Sequence, residues 1–148
     1  MLRLGRRTFA ATDRLVMAIV NRTPDSFYDR GATYAADAAM DRVHQVVAEG
    51  ADLVDIGGVK AAPGDEVDVD EELRRTVSFV AAVREAHPDL VISVDTWRHE
   101  VGRAVCEAGA DVLNDAWGGG DGRLGGVAAE FDAALVCTHA GGRAARPG

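Results

Sequence analysis

Apolar residues fall along this chain in two alternating patterns. The first is a set of short continuous runs: Leu15 to Val20, Leu53-Val54-Asp55-Ile56, Leu90 to Val94, Val112-Leu113 and Ala134 to Cys137. Runs this short, largely continuous rather than apolar at every second residue, predict strands covered on both faces. The second is a helical spacing. Ala39, Val43, Val46 and Val47 recur within residues 35–49, and Gly50 follows as a C-terminal cap. Asp68-x-x-Glu71 reads as the capping box of a second helix, which runs to Ala86 and stops at His87-Pro88. A third helix is predicted from Trp97 to Glu107, capped by Asp95-Thr96, and a fourth from Leu124 to Phe131. Residues 1–13 fit a short hairpin, and residues 21–33 a long loop.

Strand, helix and strand repeated with short turns predict right-handed parallel crossovers. An internal echo supports this. Glu49-Gly50-Ala51-Asp52-Leu53-Val54-Asp55 aligns with Ala108-Gly109-Ala110-Asp111-Val112-Leu113-Asn114. Each copy is a Gly-Ala-Asp turn feeding a strand that ends in a polar residue. Small turns of this kind converge on glycine and alanine, but the matched polar ends are harder to attribute to chance. The class is α/β. A flavodoxin-like sheet and the first part of a (β/α)8 barrel both fit the strand count.

The strand ends carry the candidate chemistry. Asn21, Asp55, Asp95 and Asn114 fall at the C-terminal ends of four predicted strands. In parallel α/β architectures ligands sit at the C-terminal ends of the strands, so these side chains would meet at one mouth. One polar strand end alone is usually a helix cap, and Asp95 is placed to be one. After Asn21 come Thr23, Pro24, Asp25 and Ser26. Such a loop closes a strand as an Asx or Ser/Thr turn, or crowds polar groups into a site.

Composition narrows the rest. The 148 residues are 47% hydrophobic and 27% charged, which predicts one globular domain over residues 1–148. With 24 acidic against 16 basic residues the net charge is −8, unsuited to non-specific nucleic-acid binding. No apolar run is long enough for a membrane span, and the basic N-terminus lacks the apolar core of a signal peptide. Cys106 and Cys137 are isolated, which fits a reducing cytoplasm, and the four histidines are scattered, against a zinc site. Gly118-Gly119-Gly120 lacks the following Lys and Ser/Thr of a phosphate loop, and Trp97 reads as a packing residue.

Val20-Asn21-x-Thr23-Pro24-Asp25-Ser26-Phe27 resembles the first active-site loop of the dihydropteroate synthase family. Asp55-Ile56-Gly57-Gly58 with Pro63-Gly64, Ser93-Val94-Asp95-Thr96, Asn114-Asp115 and His139 resemble further family motifs. The resemblance runs over nearly the whole chain but over only the first half of the family's length. It favours the barrel: about five βα units of a TIM-type (β/α)8 fold, C-terminally truncated. The pterin-binding methyltransferases of corrinoid metabolism share that barrel but not the Thr-Pro-Asp-Ser-Phe loop.

The family joins a dihydropterin bearing a CH2-pyrophosphate to p-aminobenzoate and releases pyrophosphate, without a protein nucleophile. Leaving-group stabilisation and positioning carry such a reaction. By resemblance, Asn21 would ligate Mg²⁺, while Asp95 and Asn114 would bind the pterin edge. Thr23, Asp25, Asp55 and His139 would support the pocket. The family's Gly-Gly-Glu-Ser-Thr-Arg-Pro-Gly loop reads here Gly57-Gly58-Val59-Lys60-Ala61-Ala62-Pro63-Gly64, so Ala61 and Ala62 replace its Thr and Arg. Lys60 restores a charge but not the guanidinium fork. The family's later pterin-binding and anion-binding residues correspond to positions past Gly148. The resemblance therefore implies a folate-type transferase fold whose catalysis in this chain alone is doubtful, or a non-catalytic pterin- or partner-binding paralogue. A homo-oligomer or a complementing chain is the expected assembly.

Overall fold

The computed structural model describes residues 2–5, 7–10, 15–21, 30–57, 69–115 and 122–137. A two-stranded antiparallel hairpin, β1 (Leu2–Leu4) and β2 (Arg7–Phe9), precedes a parallel sheet. The sheet contains β3 (Met17–Asn21), β4 (Leu53–Gly57), β5 (Val91–Asp95), β6 (Val112–Asp115) and β7 (Ala134–Cys137), in that spatial order. Helices α1 (Arg30–Ala48), α2 (Val69–Ala86), α3 (His99–Ala108) and α4 (Leu124–Glu130) lie between successive strands. Sequential order in a parallel sheet with a helix after each strand is the barrel pattern. The flavodoxin alternative would put β3 inside the sheet with β4 and β5 on its two sides, whereas in the described sheet β3 lies at the edge, beside β4.

The two sheet faces differ in kind. Val20, Val54, Ile56, Ile92, Val94 and Leu113 point to the helices and join Val43, Phe79, Val80, Val83, Val101 and Val105 in one continuous core. On the opposite, inner face, Leu53, Val91 and Val112 meet Leu4 and Phe9 of the hairpin. The hairpin thus covers the N-terminal end of the inner face with apolar side chains. Above it, toward the strand C-termini, the inner face turns polar on β4, β5 and β6. Met17 and Ile19 on one edge strand and Val136 on the other are exposed.

The internal echo has a physical cause. Gly50 and Gly109 adopt φ of +98° and +121°, a region open to glycine at little cost. Ala51 N–H donates to Val46 O, and Ala110 N–H to Val105 O, both at 2.9 Å, so the two helices end alike. The aspartates also match. Asp52 accepts the Val16 N–H at 2.9 Å, and Asp111 accepts the Ile92 N–H at 3.0 Å. Each ties its turn to the start of the preceding strand. Arg7 and Arg84 neutralise them, at 3.2 and 2.5 Å.

Several boundaries differ from the sequence expectation. α1 begins at Arg30, inside the segment expected to be loop. Ala32, Ala35, Ala36 and Ala38 favour helix without supplying an apolar stripe, so propensity extends the element beyond its periodicity. α3 begins at His99, with Arg98 as N-cap and no side-chain cap, so Asp95-Thr96 does not cap it. Instead Asp95 is the last residue of β5. Asn21 and Asp115 likewise belong to their strands. Asp68 of the expected capping box lies outside the described residues.

Candidate functional site

Register brings the strand ends together. Asn21 pairs with Gly57, Gly57 with Asp95, and Asp95 with Asn114, forming one rung at the C-terminal ends of β3, β4 and β5. One rung lower, Asp55 lies between Ile19 and Ser93. Side chains alternate along a strand, so Asp55, Ser93, Asp95 and Asn114 share the inner face with Leu53, Val91 and Val112. Sequence reading placed Asn21, Asp55, Asp95 and Asn114 at one mouth, and their backbones do meet there. Among them the side chain of Asn21 is not described. Thr23, Asp25, His139 and the Lys60-Ala61-Ala62 segment lie outside the described residues.

Asp55 is the hub. It is 7% exposed and accepts hydrogen bonds from Ser93 Oγ at 2.8 Å and Asn114 Nδ2 at 3.3 Å. A carboxylate only accepts, so Asn114 must turn its amino end inward. Its carbonyl oxygen then faces away from Asp55. Three strands are cross-linked in this way, and the presented pattern of donor and acceptor is fixed. Sequence reading gave Asp55 a supporting role and missed Ser93. The available signal was a hydroxyl interrupting Val91-Ile92-x-Val94, level with an aspartate on the neighbouring strand.

A second buried polar group lies against the segment that follows β5. Glu72 on α2 is 1% exposed and pairs with Arg98 at 3.0 Å. Burial pushes the Glu72 carboxyl above its usual range; Thr96 and Arg98 beside it act in the opposite direction. The Thr96 N–H donates to Asn114 O at 3.2 Å, which ties the segment after Asp95 to β6. Arg98 N–H in turn donates to Thr96 Oγ1 at 3.2 Å. Asp55, Glu72, Ser93, Thr96 and Asp115 are all buried polar residues at or near this end of the sheet.

The arrangement can recognise a planar ring edge carrying N–H donors and a carbonyl. Asp95 supplies acceptors and Asn114 an acceptor with a donor, over a rigid base. Among the described residues, no group of three or more His, Cys, Asp or Glu side chains is placed to hold a metal ion. Nor is Cys106 suited to nucleophilic chemistry: burial, then Asp111 and Glu107, push its thiol up to about 11.

Comparison with known proteins places this geometry. The family described as pterin binding enzyme matches residues 17–147. The chain belongs to that family. It is 60% identical over 136 residues to a Mycobacterium leprae protein named inactive dihydropteroate synthase 2, covering 92% of this chain and 47% of that one. Among solved structures, the Vibrio fischeri 7,8-dihydropteroate synthase superposes with a TM-score of 0.83 at 33% identity, over 96% of this chain and 51% of the other. The Anaplasma phagocytophilum dihydropteroate synthase with bound 6-hydroxymethylpterin-monophosphate gives 0.78 at 29% identity, over 86% and 49%. This pterin-binding family chain thus spans about half the length of its relatives. Its sheet is the corresponding part of a TIM-type α/β barrel.

Proposed function

We propose that this chain binds a dihydropterin-type ligand at the mouth formed by β5 and β6, and that by itself it does not make dihydropteroate. The observation that carries the first half is the Asp95–Asn114 rung, with Asp55 holding the Asn114 amide in one orientation. The 2-amino and ring N–H groups of a pterin suit the Asp95 carboxylate, and Asn114 complements the adjoining donor and acceptor positions. The likeness to a synthase that holds a hydroxymethylpterin phosphate supports the same choice.

The second half rests on sequence and kinship. Ala61 and Ala62 stand where the family motif has Thr and Arg, so two polar contacts to substrate are lost. Losing one preorganised donor for a developing charge typically costs about 10²–10³ in rate. A relative at 60% identity bears the name of an inactive synthase. Mg²⁺ at Asn21 belongs to the same proposal. A single neutral amide oxygen is a weak ligand, and Mg²⁺ takes its other ligands from water and substrate phosphates. Asn21 would therefore hold the ion only together with a diphosphate-bearing pterin. p-Aminobenzoate is the proposed second small molecule, in a cytoplasmic setting; no described helix is long and apolar enough to cross a membrane.

Exposed apolar side chains favour an accompanying assembly role. Val16, Met17 and Ile19 on β3 and its approach, and Leu135 and Val136 on β7, lie at the two edges of the described sheet. Unpaired parallel edges accept further strands. We propose that such strands come from a second copy or a complementing polypeptide.

The test is titration calorimetry with 6-hydroxymethylpterin-monophosphate. Asp95→Ala and Asn114→Ala should each weaken binding by about 1–3 kcal/mol, the cost of an unsatisfied buried polar group. Folded protein that shows no binding refutes the pterin reading. Ordinary turnover from pterin pyrophosphate and p-aminobenzoate, with Mg²⁺ and no other protein, refutes the non-catalytic one.

A further inference from the structure

Residues 96–98, between Asp95 and α3, are held by a charge that the site itself does not need. Glu72 sits in the first turn of α2, 1% exposed, and pairs with Arg98, itself 16% exposed. Arg98 lies over the Trp97 ring with its guanidinium carbon 4.6 Å from the centroid. Its own N–H returns to Thr96 Oγ1, and Thr96 is anchored to Asn114 O. Glu72, Arg98, Trp97 and Thr96 thus form a chain of contacts that ends one residue from Asp95 and on the backbone of Asn114.

We propose that Glu72 is a positioning residue: by holding Arg98 against Trp97, it sets the conformation of residues 96–98 and so the aim of Asp95 at the ligand. This deepens the pterin-binding reading and rests on it for the identity of the ligand. Stability is a poor explanation for the pair. Buried ion pairs are often no more stabilising than neutral groups of the same shape, and their better-attested use is to fix geometry. The titration of Glu72 agrees. Desolvation is the largest influence on its carboxyl and Glu100 adds repulsion, while Thr96 and Arg98 only partly oppose them. A carboxyl whose folded pKa lies above its unfolded value contributes stability at low pH and loses it as pH rises through the folded value. Ionising Glu72 in the folded chain therefore costs stability rather than adding it.

The experiment uses a Trp117→Phe background, in which Trp97 is the single tryptophan of a chain with two. Glu72→Gln keeps the shape and removes the charge; Arg98→Met approaches the same contact from the other side. Expected are a shifted Trp97 emission in both variants and a roughly tenfold weaker affinity for 6-hydroxymethylpterin-monophosphate, equivalent to about 1.4 kcal/mol. The double variant should be no weaker than either single one, while the melting temperature of Glu72→Gln stays near that of the parent. Unchanged emission in Glu72→Gln overturns the proposal, as does parental affinity in that variant. So does a double variant in which the two losses simply add. If the folded parent fails to bind the pterin while Glu72→Gln still shifts Trp97, the ligand reading fails and the bracing of residues 96–98 stands.

Discussion

Replacing Asp55 with Asn tests the hub of the site without opening a cavity, because the two side chains have nearly the same shape. Asp55 accepts from two donors, Ser93 Oγ at 2.8 Å and Asn114 Nδ2 at 3.3 Å. An amide has one accepting oxygen and cannot serve both. With its oxygen toward Asn114, its amino group makes Ser93 Oγ the acceptor and strands the Ser93 O–H, in a residue 2% exposed. With its oxygen toward Ser93, its amino group faces that of Asn114. Asn114 can then flip, but the flip inverts the pattern shown to a ligand. A stranded buried donor costs about 1–3 kcal/mol, and exchanging a charged acceptor for a neutral one about 1 more. Relief of a buried charge offsets part of this, leaving a net loss of about 1–2 kcal/mol. Urea unfolding followed by tryptophan fluorescence, at matched protein concentration, measures it. Ser93→Ala removes the stranded hydroxyl, so it should cost less on Asp55→Asn than on the parent, with a coupling of about 1 kcal/mol. Parental stability in Asp55→Asn together with an additive cycle would refute the reasoning.

Gly102→Ala sets helix propensity against packing. Alanine gains about 1 kcal/mol in a helix, but its Cβ would lie 2.6 Å from Leu124 Cδ1 and 3.2 Å from Leu113 Cδ1, where overpacking costs about 1–3 kcal/mol. A lower unfolding midpoint is expected, and the loss should shrink when Gly102→Ala is made in a Leu124→Ala background; a more stable Gly102→Ala would show that α4 gives way. His87 bonds His44 at 2.9 Å, and its pKa is lowered by burial and then by His44. The unfolded chain then binds more protons, so stability should fall as pH drops through about 6.5 toward the lower folded value; His87→Gln should flatten that slope, and an unchanged slope counts against it. In a Cys137→Ser background, Cys106 has its thiol raised from 9.0 to about 11, so at pH 8 its thiolate fraction drops about a hundredfold. Alkylation should be correspondingly slow until urea unfolds the chain.

The strands were legible because their cause is local. Continuous apolar runs between helical spacings leave little choice but a parallel sheet covered by helices, and Ala134–Cys137 falls where its run predicts. The Gly-Ala-Asp echo was also legible as a turn, though not its reason. That Asp52 and Asp111 each reach back to a strand N–H is a contact across 36 and 19 residues, and spacing carries no trace of it. Asn21, Asp95 and Asn114 could be picked out because a polar residue ending an apolar run is conspicuous. Ser93, Glu72 and Thr96 could not. Ser93 looks like a tolerated hydroxyl inside a strand, and Glu72 looks like one more exposed acid in Asp70-Glu71-Glu72. Only the register, which sets Ser93 beside Asp55, and the rotation of α2, which turns Glu72 inward while Asp70 faces water, distinguish them.

That division bears on what a ligand at this mouth would meet. The residues visible in the sequence are the ones that would touch it, and those hidden in the sequence hold them still. Carboxylate and amide ends on a rigid sheet keep their donors and acceptors in place only if their own backs are satisfied. Asp55 does this for Asn114 through a side chain, and Thr96 does it through the Asn114 carbonyl. The apolar hairpin at the opposite end fills the inner face with Leu4 and Phe9, so the polar layer rests on a packed base rather than on water. Packing, support and proposed recognition thus succeed one another up the inner face, from Phe9 through Leu53 and Val91, to Asp55 and Ser93, to Asp95 and Asn114. A substitution in the middle layer, such as Asp55→Asn, should therefore weaken binding as well as stability without touching a ligand.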